Sequence, residues 1–150
     1  MIGLIQRVSE AEVWVNNKMV SGINKGLLLL VGISRDDGQE DISYIANKTV
    51  NLRVFPDHQG NLNKSLLEVE GQLLVVSQFT LLGDTRKGRR PSFTRAAGSQ
   101  QAEPVYRKLI KELKNHAAAV KEGEFGALMK VKLVNDGPVT LIINSRDKFK

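Results

Sequence analysis

Ser77-Gln78-Phe79-Thr80 sets two hydroxyls and a carboxamide directly after the apolar run of residues 73–76. Such a run, β-branched at its end, reads as a buried strand. A polar cluster at the end of a buried strand is held rigidly, which suits it to a site. These side chains include no strong base. Their chemistry would be stabilisation: backbone N–H groups at the strand end, with nearby hydroxyls, can hydrogen-bond the oxyanion of an ester under attack. Water, the Thr80 hydroxyl or a hydroxyl of the substrate itself would then be the attacking group.

Other catalytic plans find little material. The chain has two histidines, His58 in a predicted turn and His116 on a predicted helix, and no cysteine. No His, Cys and carboxylate spacing of a metal site occurs, and no metal or other cofactor is expected. Neither a Gly-x-Ser-x-Gly elbow nor a phosphate-binding glycine pattern is present.

The segment after the cluster is Gly-rich and basic. Arg86, Lys87, Arg89, Arg90 and Arg95 stand against Asp84 alone, so most of the net charge of +6 sits in one loop. A clustered excess of this kind points to a polyanion, with Arg86, Lys87, Arg89 and Arg90 as phosphate contacts. Gly137-Pro138 is the second unusual feature, since Gly allows close backbone approach and X-Pro is where a cis bond costs least.

The elements that must carry these residues follow from pattern. Two β-rich pieces lie within residues 3–15, a turn follows at Asn16-Asn17-Lys18, and residues 19–23 return as a hairpin partner. Residues 27–33, apolar on both faces, read as a central strand. Arg7, basic on an apolar strand, sits either at the surface or in an internal polar contact. Asp37 with Glu40 matches a helix-capping pattern, and Ile42, Ile45, Ala46 and Thr49 share one face of a helix over residues 38–51. Residues 53–55 form a short strand, residues 62–67 an edge strand, and an amphipathic stripe marks a second helix over residues 99–120. Residues 127–134 and 139–143 read as two strands joined by a tight connection at residues 135–138. The order implies one α/β domain, a mixed sheet or open barrel-like sheet covered by two helices. At 150 residues and 41% hydrophobic content the chain is sized for a single soluble globular domain. The absence of cysteine suits the cytoplasm, the apolar run at the N-terminus is too short for a signal peptide, and no apolar stretch spans a bilayer.

Gln6-Arg7-Val8, Ser77-Gln78-Phe79-Thr80-Leu81, Arg90-Pro91-Ser92-Phe93 and Asn135-Asp136-Gly137-Pro138-Val139-Thr140 resemble, in order and spacing, the D-aminoacyl-tRNA deacylase family. The resemblance covers essentially the whole chain. It implies a homodimeric cytoplasmic hydrolase that cleaves the ester of D-aminoacyl-tRNA, and of mischarged glycyl-tRNA. The family's catalytic strand-end motif falls on Ser77, Gln78, Phe79 and Thr80. Its Gly-cisPro motif, which rejects L-amino acids in the partner subunit's pocket, falls on Gly137 and Pro138; a cis bond would set their carbonyls on one side, where Arg7 could hold them. Phe125, Gly126, Ala127 and Met129 resemble the segment that meets the terminal adenosine. Whether Thr80 or the tRNA 2′-hydroxyl drives the chemistry stays open. A non-catalytic RNA-binding module and a general esterase are the competing classes: the first leaves the ester intact, the second needs no RNA.

Overall fold

Alternating burial runs nearly the whole length of the first strand, β1 (Ile2–Val15), with Ile5, Ala11 and Val13 turned inward. In chain order there follow β2 (Lys18–Ile23), β3 (Gly26–Gly32), α1 (Gln39–Asn51), β4 (Phe55–Pro56), β5 (Leu62–Lys64), β6 (Gln72–Ser77), α2 (Ser99–His116), β7 (Val120–Glu122) and β8 (Lys130–Asn144). The structure, a computed structural model, describes residues 1–117 and 119–149.

β1 organises the sheet. Along one side it pairs antiparallel with β8 from end to end; along the other, its first half pairs with β3 and its second half with β2. β3 continues into β6 and β6 into β7, both in parallel register. Gly26 starts the β3–β6 pairing, where a Cβ would lie 1.8 Å from the Gln72 carbonyl oxygen. The Lys121 Nζ donates to the Gly22 carbonyl at 2.6 Å, drawing β7 towards β2 and bending this half of the sheet into an open barrel. β4 and β5 form a separate two-stranded ribbon.

The two faces of β3 and β6 explain why both strands are apolar throughout. Leu27, Leu29, Leu73 and Val75 face the helices, packing with Ile42, Ile45 and Val50 of α1 and Tyr106, Leu109 and Leu113 of α2. Leu28, Leu74 and Val76 face the barrel interior with Val8, Ala11, Val13 and Ile23. Fully burying a side chain of this size contributes about 1.5–3 kcal/mol, so the strands have no face to spare for polar groups until Ser77. The Tyr106 hydroxyl donates to the Val75 carbonyl at 3.1 Å and fastens α2 to β6.

Several expectations need correction. The β-rich pieces of residues 3–15 are one strand, because β8 supports it along its whole length. α1 is capped at Gly38, whose N–H donates to Asp41 Oδ2 at 2.9 Å, rather than by the Asp37–Glu40 pair. Asp37 instead accepts from the Ser34 N–H and pairs with the Met1 amine and Arg146. α2 ends at His116, and residues 120–122 leave the helical stripe to pair with β6; Ala118, inside the expected helix, lies outside the described residues. The short strand expected at 53–55 is Phe55–Pro56, and the edge strand expected at 62–67 stops at Lys64. Residues 127–134 and 139–143 do not form two strands: Lys130–Asn144 is continuous, with an irregularity at its centre. Among the described residues no helix is long and apolar enough to cross a membrane.

Candidate active site

β6 ends at Ser77, and after Gln78 the backbone closes into a single 3-10 turn, Phe79–Leu82. The Gln78 N–H still bonds across to Val31 of β3 at 2.7 Å, which fixes the start of the turn to the sheet. The Leu81 N–H is the first to bond back, to the Gln78 carbonyl at 3.2 Å. As at any helical start, the N–H groups before it, those of Phe79 and Thr80, have no partner within the turn.

Beside this turn lies a pocket of about 530 Å³. Ser77, Gln78 and Phe79 line it together with Phe125, Gly126, Ala127, Leu128 and Met129. Val31, Ile33, Val76, Ala97 and Val131 also line it, as do Ser99 and Ala102 at the start of α2. None of the lining side chains is ionisable. Phe79 is 56% exposed at the mouth and stacks edge-on against Phe93, ring centroids 5.1 Å apart, so the loop carrying the arginines is anchored at the rim. Thr80 does not line the pocket; its hydroxyl accepts from Gln78 Nε2. No group of three or more His, Cys, Asp or Glu side chains that could hold a metal occurs among the described residues.

Ser77, Gln78, Phe79, Phe125, Gly126, Ala127 and Met129 are thus gathered around one cavity. Arg7, Gly137 and Pro138 are not among its lining residues. They meet elsewhere, at the irregularity in β8. Gln6 pairs with Thr140 and Val8 with Asn135, so Arg7 alone spans four residues of β8, 136 to 139, which bulge from the strand. A bulge of this kind re-aims the side chain opposite it. Arg7 is therefore buried rather than at the surface, donating through Nη1 to the Val54 carbonyl at 2.7 Å and through Nε to the Asp136 carbonyl at 2.8 Å. The carbonyl it holds is that of Asp136, one residue before the Gly137 and Pro138 carbonyls expected. Asn135 clamps the bulge from inside: its Oδ1 accepts the Val139 N–H at 2.8 Å and its Nδ2 donates to Thr140 Oγ1 at 2.8 Å. The Gly137–Pro138 bond at the exposed tip is cis, and Gly137 has φ +140°, a conformation only glycine adopts without strain.

In the basic loop Arg86 is engaged with Asp84 through Nε at 2.9 Å and Nη2 at 2.6 Å, which holds the Asp84 carboxyl well below the usual carboxylate range. Lys87, Arg89 and Arg90 are exposed and in no ion pair among the described residues.

A sequence model of the D-Tyr-tRNA(Tyr) deacylase family matches residues 4–144. The chain belongs to that family. D-aminoacyl-tRNA deacylases of Thermosipho africanus and Thermoanaerobacter pseudethanolicus are 51% and 52% identical to it, each over 99% of this chain and all of the relative. Among solved structures, a c-Myc DNA unwinding element binding protein superposes with a TM-score of 0.92 at 38% identity, covering 96% of this chain and 98% of that one. A probable eukaryotic D-amino acid tRNA deacylase shares the fold, with a TM-score of 0.80 at 17% identity over 95% of this chain and 97% of that one. Within this deacylase-family chain, sequence reasoning missed Ser99, Ala102 and Leu128 as pocket residues. Ser99 and Ala102 carried only a helix signal, and Leu128 sat in an alternating pattern that read as strand.

Proposed function

We propose that the pocket beside Phe79 receives the aminoacyl-adenosine end of tRNA, and that the chain hydrolyses the ester of D-aminoacyl-tRNA, and of glycyl-tRNA, in the cytoplasm. Family membership over the whole chain supports the reaction. The observation that carries the mechanism is a mainly apolar pocket, free of ionisable side chains, beside a turn whose first N–H groups have no partner in the turn. Water, oriented by the tRNA 2′-hydroxyl, adds to the ester carbonyl carbon. The oxyanion is met by the Phe79 N–H, preorganised by β6. The C–O bond to the ribose then breaks, the ribose oxygen takes the proton, and free amino acid leaves. Ser77 and Gln78 orient the substrate, and Phe125, Gly126, Ala127 and Met129 hold the adenosine. Lys87, Arg89 and Arg90 meet tRNA phosphates, with Arg86 in a lesser role because Asp84 already occupies it.

The chiral filter in this reading needs a second copy. Gly137 and Pro138 do not line their own chain's pocket, and they project from β8, whose free edge carries exposed Val134, Leu141 and Ile142. An apolar strand edge left open is a pairing surface, and a two-fold dimer would use it twice. We place the clamped tip of one protomer at the pocket of its partner, where its backbone clashes with an L-side chain and spares hydrogen or the D-configuration.

The test is hydrolysis by purified protein of matched D- and L-aminoacyl-tRNA, alongside sedimentation of Ile142→Asp. D-ester loss with L-ester sparing is expected, and a monomeric Ile142→Asp should lose the discrimination. Equal cleavage of both esters by the wild type would remove the filter, and no cleavage of either would remove the function.

A further inference from the structure

A second hollow of about 300 Å³ adjoins the pocket, lined by Trp14, Asn16, Asn17, Leu128, Met129 and Lys130. Leu128 and Met129 belong to both cavities, so an occupant of one is separated from an occupant of the other by little more than the Leu128 side chain. Leu128 itself is 96% exposed, so its side chain is open to an occupant of either cavity.

The hollow is built at the tip of the β1–β2 hairpin. Asn16 and Asn17 take φ +50° and +60°, the left-handed turn that matches strand twist. Their side-chain amides are exposed and make no hydrogen bond among the described residues. Trp14 sits opposite Lys130 across the β1–β8 ladder. Its ring is held in place, Nε1 donating to Glu12 Oε2 at 2.7 Å and the Lys132 Nζ lying 4.4 Å from the ring centroid. Lys130, which lines the hollow, and Lys18, opposite Val15 in the β1–β2 ladder, are exposed and in no ion pair among the described residues. An orientation-locked indole, two uncommitted amides and unpaired cations are what a nucleotide requires: a flat partner for the base, donors and acceptors for its edge, and positive charge for its phosphate.

We infer that this hollow is a subsite for the penultimate nucleotide of the tRNA, the cytidine that precedes the terminal adenosine in every tRNA. The inference rests on the terminal adenosine occupying the adjoining pocket. The base lies against Trp14 and Leu128, the Asn16 and Asn17 amides meet its polar edge, and Lys130 faces the linking phosphate. Leu128 is the divider between two successive residues of one strand.

Trp14 is the chain's single tryptophan, so its fluorescence reports on this hollow alone. Titrating the full chain with the dinucleotide CpA should change the emission saturably. Adenosine itself should leave the emission unmoved. Asn16→Gly with Asn17→Gly keeps a turn that glycine favours at positive φ while removing both amides. That variant should weaken CpA at least about five-fold. An emission silent to CpA up to its solubility, or an equal response to adenosine, overturns the subsite. Kinetics with D-aminoacyl-CpA and D-aminoacyl-adenosine separate the two readings. If neither ester is cleaved while CpA still moves the emission, the deacylase reading fails and the subsite stands. If both are cleaved with the same KM and Trp14 stays silent, the subsite fails and the deacylase reading stands.

Discussion

The Asn135 side-chain oxygen accepts the Val139 N–H at 2.8 Å and so closes a ring of backbone around Asp136, Gly137 and Pro138. With Arg7 holding the Asp136 carbonyl at 2.8 Å, the tip is braced by two side chains that do not line their own chain's pocket beside Phe79. A steric filter depends on a wall that does not yield. Asn135→Ala should therefore leave kcat on a D-aminoacyl-tRNA nearly unchanged. The lost net hydrogen bond, about 0.5–1.5 kcal/mol, should lower the D-over-L ratio of kcat/KM by up to about ten-fold. Parallel single-turnover assays on the two esters measure it. An unaltered ratio would mean that the clamp serves only the strand.

Thr80 lies outside the pocket lining, with its hydroxyl occupied by Gln78. Thr80→Ala should accordingly retain activity within about ten-fold, whereas loss of an oxyanion donor costs about 10²–10³ in kcat. A tRNA ending in 2′-deoxyadenosine should be the poor substrate. Complete loss of turnover in Thr80→Ala, with tRNA affinity and fold intact, would make Thr80 the nucleophile.

Salt dependence separates phosphate contacts from solvated charge. Replacing Lys87 or Arg89 by Ala should flatten the log–log dependence of tRNA affinity on salt by about 0.7–0.9 per contact removed. Arg86→Ala should change it less, since Asp84 already engages that guanidinium. Slopes that stay equal across all three variants would leave the loop without a role in binding.

Tyr106 is buried, and desolvation, followed by the nearby Glu122 carboxylate, pushes its hydroxyl well above the ordinary tyrosine range. A folded-state pKa raised in this way contributes stability that is whole below the unfolded value of about 10 and is lost as pH rises beyond it. Denaturant midpoints should thus fall more steeply above about pH 10 in the wild type than in Tyr106→Phe. At neutral pH that substitution should cost only about 0.5–1.5 kcal/mol, because the Val75 carbonyl keeps the Gly123 N–H as a partner.

What the chain displays openly is its core. Residues 73–76 are apolar in succession because both faces of β6 are covered, and Ile42, Ile45 and Ala46 recur at helical spacing because one face of α1 meets the sheet. The strand-end motif was equally readable, since polarity begins where the cover ends. Arg7 was not: an arginine on an apolar strand carries no local sign of a bulge in a partner more than a hundred residues away. The end of α2 was hidden for a related reason. Ala117 and Val120 fit the helical stripe, but Val120 pairs with Leu73, and a sheet partner outweighs a weak local helix preference. Asp37 fitted the cap with Glu40, and only the Met1 amine and the Ser34 N–H, brought close by the fold, assigned Asp37 elsewhere.

β1 passes through both hydrophobic clusters, giving Ile5 to the one beneath the helices and Val8, Ala11 and Val13 to the one inside the barrel. Neither half can come apart while the other keeps its share of that strand. Amide protons at the doubly paired positions of β1, around Ile5 and Val13, should consequently exchange with solvent only when the whole molecule opens, at a common rate, while the β4–β5 ribbon trades its protons locally and early. The hairpin tip at Asn16-Asn17 and the first residues of the chain are thereby joined by one cooperative rod. Damage at either end would be felt as a lower melting temperature of the entire protein rather than as a loose segment.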